Sequence, residues 1–159
     1  MTANASLFEF LIGEWTVEFQ LLPEGVTVGR RAIVKAEWFL DGTAILDEWR
    51  HVDDSGAVNF RGATFRTYLP GKDLWYVLWM TPAVEGFSEL YAHRSGNDVR
   101  TSGKGKDPGG EFLERGTYSE ISEEAFSFVL ERSYENGLSF LPFVSFRATR
   151  AAPGQEPGG

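Results

Sequence analysis

Apolar and polar residues alternate along most of this chain. Over residues 14–22, Trp15, Val17, Phe19 and Leu21 share one parity, against Glu14, Thr16, Glu18 and Gln20 on the other. A period of two is that of a β-strand with one buried face. Ala32, Val34, Ala36, Trp38 and Leu40 form the apolar parity of the next segment, and Phe126, Phe128 and Leu130 that of a later one. Residues 74–81 are apolar on both parities, and the set Trp75, Val77, Trp79 is assigned inward. That leaves Tyr76, Leu78 and Met80 outside, a surface on which a homodimer is expected.

Turn residues punctuate the alternation: Pro23-Glu24-Gly25, Asp41-Gly42, Asp53-Asp54-Ser55-Gly56, Pro70-Gly71, Asn97-Asp98, Pro108-Gly109-Gly110 and Asn136-Gly137 among them. Gly supplies positive φ, Pro presets φ, and Asn and Asp tolerate the left-handed region. The spacing predicts ten strands, at about 14–22, 28–40, 43–52, 58–69, 74–81, 86–94, 98–105, 111–119, 125–134 and 138–149. Successive short strands joined by tight turns predict an all-β fold, a single antiparallel up-and-down barrel. Before them, Ser6 to Gly13 reads as a short apolar helix, with Ser6 as cap and Gly13 as stop, closing one barrel end. Residues 1–150 make one domain, and the Pro/Gly-rich residues 151–159 are expected to be a disordered tail.

Composition narrows the function classes. Net charge is −8, which argues against nucleic acid and against anionic membrane surfaces as partners. No apolar run reaches the ~18–20 residues of a spanning helix, and the start lacks a signal-like pattern. A cytoplasmic location is therefore expected. The absence of cysteine removes thiolate chemistry and Cys-ligated metals, and two scattered histidines make no zinc motif. No metal and no cofactor are expected.

Three segments place titratable groups among aromatics on one parity: Ile45, Asp47, Trp49 and His51; Phe60, Thr64, Arg66 and Tyr68; and Phe87, Glu89, Tyr91 and His93. Mostly apolar walls with a few polar groups compose a ligand cavity, and a barrel of eight or more strands has room for one small ligand. Asp47 and His51 stand about 13 Å apart along a strand, so neither reaches the other and any partner comes from a neighbouring strand. They face either solvent or a polar cavity, or serve as an acid–base pair. Arg66 and Arg132 either clamp a ligand carboxylate or pair with an internal acid such as Glu114. Trp38, Trp49, Trp75 and Trp79 either stack on a ligand or fill the core.

Gly13-Glu14-Trp15 after a short apolar segment resembles the Gly-x-Trp entry of the calycin superfamily, which includes lipocalins, fatty-acid-binding proteins and nitrobindin-like barrels. Residues 10–15, 40–50, 66–70, the Trp75…Trp79…Pro82 run and the closing Phe146-Arg147-Ala148-Thr149-Arg150 are similar to a bacterial family of uncharacterised calycin-like domains. The resemblance implies a barrel with Trp15 at its floor, covered by a basic residue from the last strand, either Arg147 or Arg150. Nitrobindin-like members hold haem through a histidine near the C-terminal part of the barrel. The histidines here are His51 and His93, outside the last strands, so haem is not expected.

The expected function is binding of a small, largely hydrophobic molecule inside the barrel, through Trp38, Asp47, Trp49, Arg66, Tyr68, Trp75, Trp79, Phe128 and Arg132. The alternative is a cofactor-independent cyclase, isomerase or hydro-lyase using His51, Glu89, Tyr91 or His93 as acid–base group, since calycin-like barrels host such activities.

Overall fold

The computed structural model describes residues 4–23, 30–82 and 86–151. The tail from 152 onward, the Glu24-Gly25 turn and the first two residues of the expected second strand lie outside them. The chain forms β1 (Gly13–Leu21), β2 (Arg31–Phe39), β3 (Ala44–Val52), β4 (Val58–Leu69) and β5 (Leu74–Thr81), followed by β6 (Gly86–Ser95), β7 (Asp98–Asp107), β8 (Gly110–Ser119), β9 (Ala125–Ser133) and β10 (Leu141–Arg150). Each strand pairs antiparallel with its sequence neighbours, and β10 returns to β1, closing the barrel. The expected ten-stranded all-β barrel is thus the observed architecture.

Two boundaries moved for physical reasons. β10 begins at Leu141 rather than near 138 because Asn136 and Gly137 both take positive φ, with the Ser133 hydroxyl accepting the Gly137 N–H at 2.9 Å. This turn uses up residues that alternation alone assigns to a strand. The N-terminal helix shrinks to one 3-10 turn, Glu9–Leu11, and the carbonyl of Ser6, not its hydroxyl, accepts from Glu9. A regular helix buries one stripe. Here Leu7, Phe8 and Leu11 are all buried, two of them consecutive, and a chain of turns accommodates that better.

This segment closes one end. Phe8 meets the Trp75 ring edge-on at 5.4 Å, and Trp15 packs edge-on against Phe126 at 4.9 Å. Arg150 covers Trp15, its guanidinium 4.2 Å from the ring, and donates to the carbonyls of Phe10, Ile12 and Glu123. Of the two arginines that the resemblance offered, Arg150 covers the floor. Arg147 lies on the outer surface, bonded to Glu120 and Ser127. The glycine of Gly-x-Trp is explained by the same contact. A Cβ on Gly13 would sit 2.4 Å from Nη1 of Arg150, and its φ of +127° suits glycine alone.

Candidate functional site

The inward residues of β3 and β4 build the polar part of the interior. Asp47 is opposite Thr64, and Ile45 opposite Arg66, so Asp47 and Arg66 are diagonal neighbours on one face. One Asp47 oxygen accepts the Thr64 backbone N–H at 3.0 Å, and the other accepts from Nη1 of Arg66. Nη2 of Arg66 donates to the Tyr118 hydroxyl at 3.1 Å, reaching across to β8. Phe8 lies over the same guanidinium, 5.0 Å from ring centroid to its carbon. Asp47 is 2% exposed and Arg66 3%, so this ion pair is fully inside. Burial works against the Arg66 charge, but Asp47 and Tyr118 more than offset it, and its pKa is raised. Burial also raises the Tyr118 hydroxyl, against the opposing pull of Arg66, which keeps it a neutral donor at physiological pH.

These groups line a cavity. Its apolar walls include Leu11, Trp15, Val17, Val34, Phe126 and Phe146, and its polar lining is Asp47, Trp49, Arg66 and Tyr118. The free volume is about 10 Å³, the size that admits one water molecule. Two buried donors on these residues, Nε1 of Trp49 and Nε of Arg66, have no hydrogen-bond partner. Leaving a buried donor unmet costs about 1–3 kcal/mol.

Away from the closed end, aromatic rings stack into a layer. Phe19 lies on His51 at 4.7 Å, His51 on Phe60 at 4.6 Å, and Trp49 meets Trp79 edge-on at 6.2 Å. Gly62 makes room for this layer, since a Cβ there would stand 2.2 Å from the Trp79 ring. A second ionic cluster lies inside β7, β8 and β9. Arg132 donates to Glu114 at 2.7 Å and to Asp107 at 3.1 Å, and is sandwiched between Phe112 and Phe143. Ser88 and Tyr134 complete it, donating to Glu114 and Asp107 respectively.

Five of the residues named from sequence therefore belong to the cavity or the layer bordering it: Asp47, Trp49, His51, Arg66 and Trp79. Phe128 packs on Tyr118 at 4.6 Å, and His51 is buried within the aromatic layer. Asp47 and His51 do not meet, and the partner of Asp47 comes from β4, as their spacing required.

Other placements correct the sequence reading. Glu89, Tyr91 and His93 lie on the outer face of β6, where the Tyr91 ring meets that of Tyr76 at a tilt, 5.4 Å between centroids. The inward set is Ser88, Leu90 and Ala92, because β5 presents Trp79 opposite Ser88 and Trp75 opposite Ala92. Directly opposed residues share a face, and the indoles leave space for small side chains only. Trp38 has the inward parity but sits at the strand end, 43% exposed. Trp75 and Tyr68 serve the closed end: Trp75 donates to the Asn4 carbonyl, and Tyr68 to Asp73 at 2.6 Å. Arg132 pairs with Glu114, the internal-acid option, and Arg66 pairs with Asp47 rather than standing ready for a ligand anion. Tyr118 was not singled out in the sequence. Met80, with Tyr76 and Leu78, faces outward and is 63% exposed. Among the described residues, no three His, Asp or Glu side chains are placed to hold a metal ion, and no helix is long and apolar enough to cross a membrane.

The same barrel exists elsewhere. Rv2717c from M. tuberculosis, known from a crystal structure, superimposes with a TM-score of 0.61 over 96% of this chain and 99% of its own. Identity is 9%, so the likeness concerns the fold alone. The sequence matches no protein-family model and no curated protein. A ten-stranded meander with such a neighbour fits a calycin-like fold.

Proposed function

We propose that this protein binds a small, largely apolar molecule inside its barrel, as calycin-like proteins do. The observation that carries the reading is the pair of buried, unmatched donors on Trp49 and Arg66, both residues of one cavity with mainly apolar walls. Polar groups few in number and set among aromatic surfaces are the composition of a ligand site. The free volume of the cavity admits no more than one water, so a ligand enters by displacing rings of the layer formed by Phe19, Trp49, His51, Phe60 and Trp79. Such side-chain rearrangement is common on binding. Three of the four residues named for acid–base chemistry face outward, which favours binding over turnover.

Native mass spectrometry of the purified protein, with organic extraction, tests the reading. A co-purifying small molecule, or quenching of tryptophan fluorescence with a raised melting temperature on adding apolar probes, is the expected result. A clean apo mass together with no response to any probe would overturn it and leave a barrel filled by its own side chains.

A further inference from the structure

Resting on that reading, we propose that the ligand presents a neutral hydrogen-bond acceptor to the Arg66 cluster, such as a ketone, aldehyde or ester carbonyl, and not a carboxylate. An arginine inside a barrel invites comparison with an anion clamp, but its charge is already matched. Asp47 holds Arg66, and both Asp47 oxygens are engaged, one by Arg66 and one by the Thr64 N–H. The other interior arginine, Arg132, is held by Glu114 and Asp107. Around the cavity and in the second cluster, two guanidiniums therefore face three carboxylates, and the third inward guanidinium, Arg150 at the floor, is taken up by three backbone carbonyls. A ligand carboxylate would add a fourth buried anion with no cation to receive it, which is strongly unfavourable.

What the residues lining the cavity carry in excess is donors. Nε–H of Arg66 and Nε1–H of Trp49 have no acceptor. The Tyr118 oxygen accepts from Arg66, and that contact leaves its own proton to give. Three N–H or O–H groups on residues of one cavity thus exceed the acceptors around them. A carbonyl oxygen accepts two such bonds without bringing a charge. Its apolar remainder would lie against Trp15, Phe126 and Phe146.

The test uses three probes of one shape, acetophenone, benzoate and ethylbenzene, followed by calorimetry and saturation-transfer NMR. Acetophenone is expected to bind about tenfold or more tighter than ethylbenzene, the value of one or two well-placed hydrogen bonds, with benzoate weakest. Trp49→Phe, which keeps an aromatic ring but loses the donor, should narrow the gap between acetophenone and ethylbenzene. Equal affinity for acetophenone and ethylbenzene would overturn the carbonyl preference while leaving apolar binding intact. Tightest binding of benzoate would overturn it in favour of an anion clamp. No binding of any probe would remove both readings and leave the donors to a single trapped water.

Discussion

The closed end and the cavity are built from the same residue types, yet they differ in how their polar atoms end up. At the closed end, the indole N–H of Trp15 donates to Leu11 at 2.8 Å, that of Trp75 reaches the Asn4 carbonyl, and Arg150 meets three carbonyls. In the cavity, Nε1 of the half-buried Trp49 and Nε of Arg66 are also shut off from solvent and have nothing to donate to. The N-terminal segment, together with the Glu123 carbonyl, supplies the acceptors in the first region, and no described segment does so in the second. A tryptophan inside a barrel is therefore ambiguous by itself. Its N–H partner distinguishes a structural ring from one facing a ligand, because an unmet buried donor is too costly to keep without a use.

The largest expected effect that probes this contrast is at Trp15. Trp15→Ala should cost about 3–5 kcal/mol in urea denaturation, the usual penalty for emptying a fully buried aromatic site. Trp79→Ala, in the partly exposed aromatic layer, should cost clearly less. Equal losses would erase the distinction between a fixed floor and an adaptable layer. Next comes Arg150→Ala, which removes charge-assisted bonds to three carbonyls and the cover over Trp15. It should lower stability by about 1.5–3 kcal/mol and leave probe affinity unchanged. A loss of probe binding would mean that floor and cavity are one unit.

The smallest effect concerns the other interior arginine cluster. Burial pushes the Glu114 carboxyl up from its ordinary value, against the pull of Arg132 and Ser88. A carboxyl raised by folding favours the fold most below its unfolded pKa, and that contribution fades as pH climbs through the folded value. The wild type should thus lose stability relative to Glu114→Gln as pH rises from about 4.5 upward. Parallel stability curves for the two proteins would show that Arg132 fully compensates the buried acid.

The fold was legible because strand alternation and turn chemistry are local. Trp15, Val17 and Phe19 announce their face without reference to any other strand, and Asn136-Gly137 announces its turn. The site was legible only where a strand carried its own answer. Ile45, Asp47, Trp49 and His51 share a parity that Ile45 anchors inside, although Leu46 and Val52 on the other parity left that face open in the sequence. β6 gave no such anchor, as Phe87 and Tyr91 outweigh Leu90 and Ala92 in bulk. Its face is decided by Trp75 and Trp79 on the neighbouring strand, through a register that parity along β6 does not contain. Tyr118 was beyond reach for a further reason. Its meaning lies in a bond to Arg66, 52 residues away and on a strand it never pairs with. The pairing of Asp47 with Arg66 had a visible signal, opposite charges on the inward parities of consecutive strands, but it competed with the anion-clamp reading until the register was known.

The seam between β1 and β10 has a kinetic consequence. The other nine seams join strands adjacent in sequence and can form as hairpins. This one brings together segments as far apart as Ile12 and Arg150, 138 residues along the chain. Closing so long a loop is entropically expensive, so this seam is expected to set late, after the hairpins. Trp15 and Arg150 face each other across it. The stacking of guanidinium on indole is therefore a signal that the cylinder has shut, and in refolding the emission of Trp15 should be the last tryptophan signal to become native.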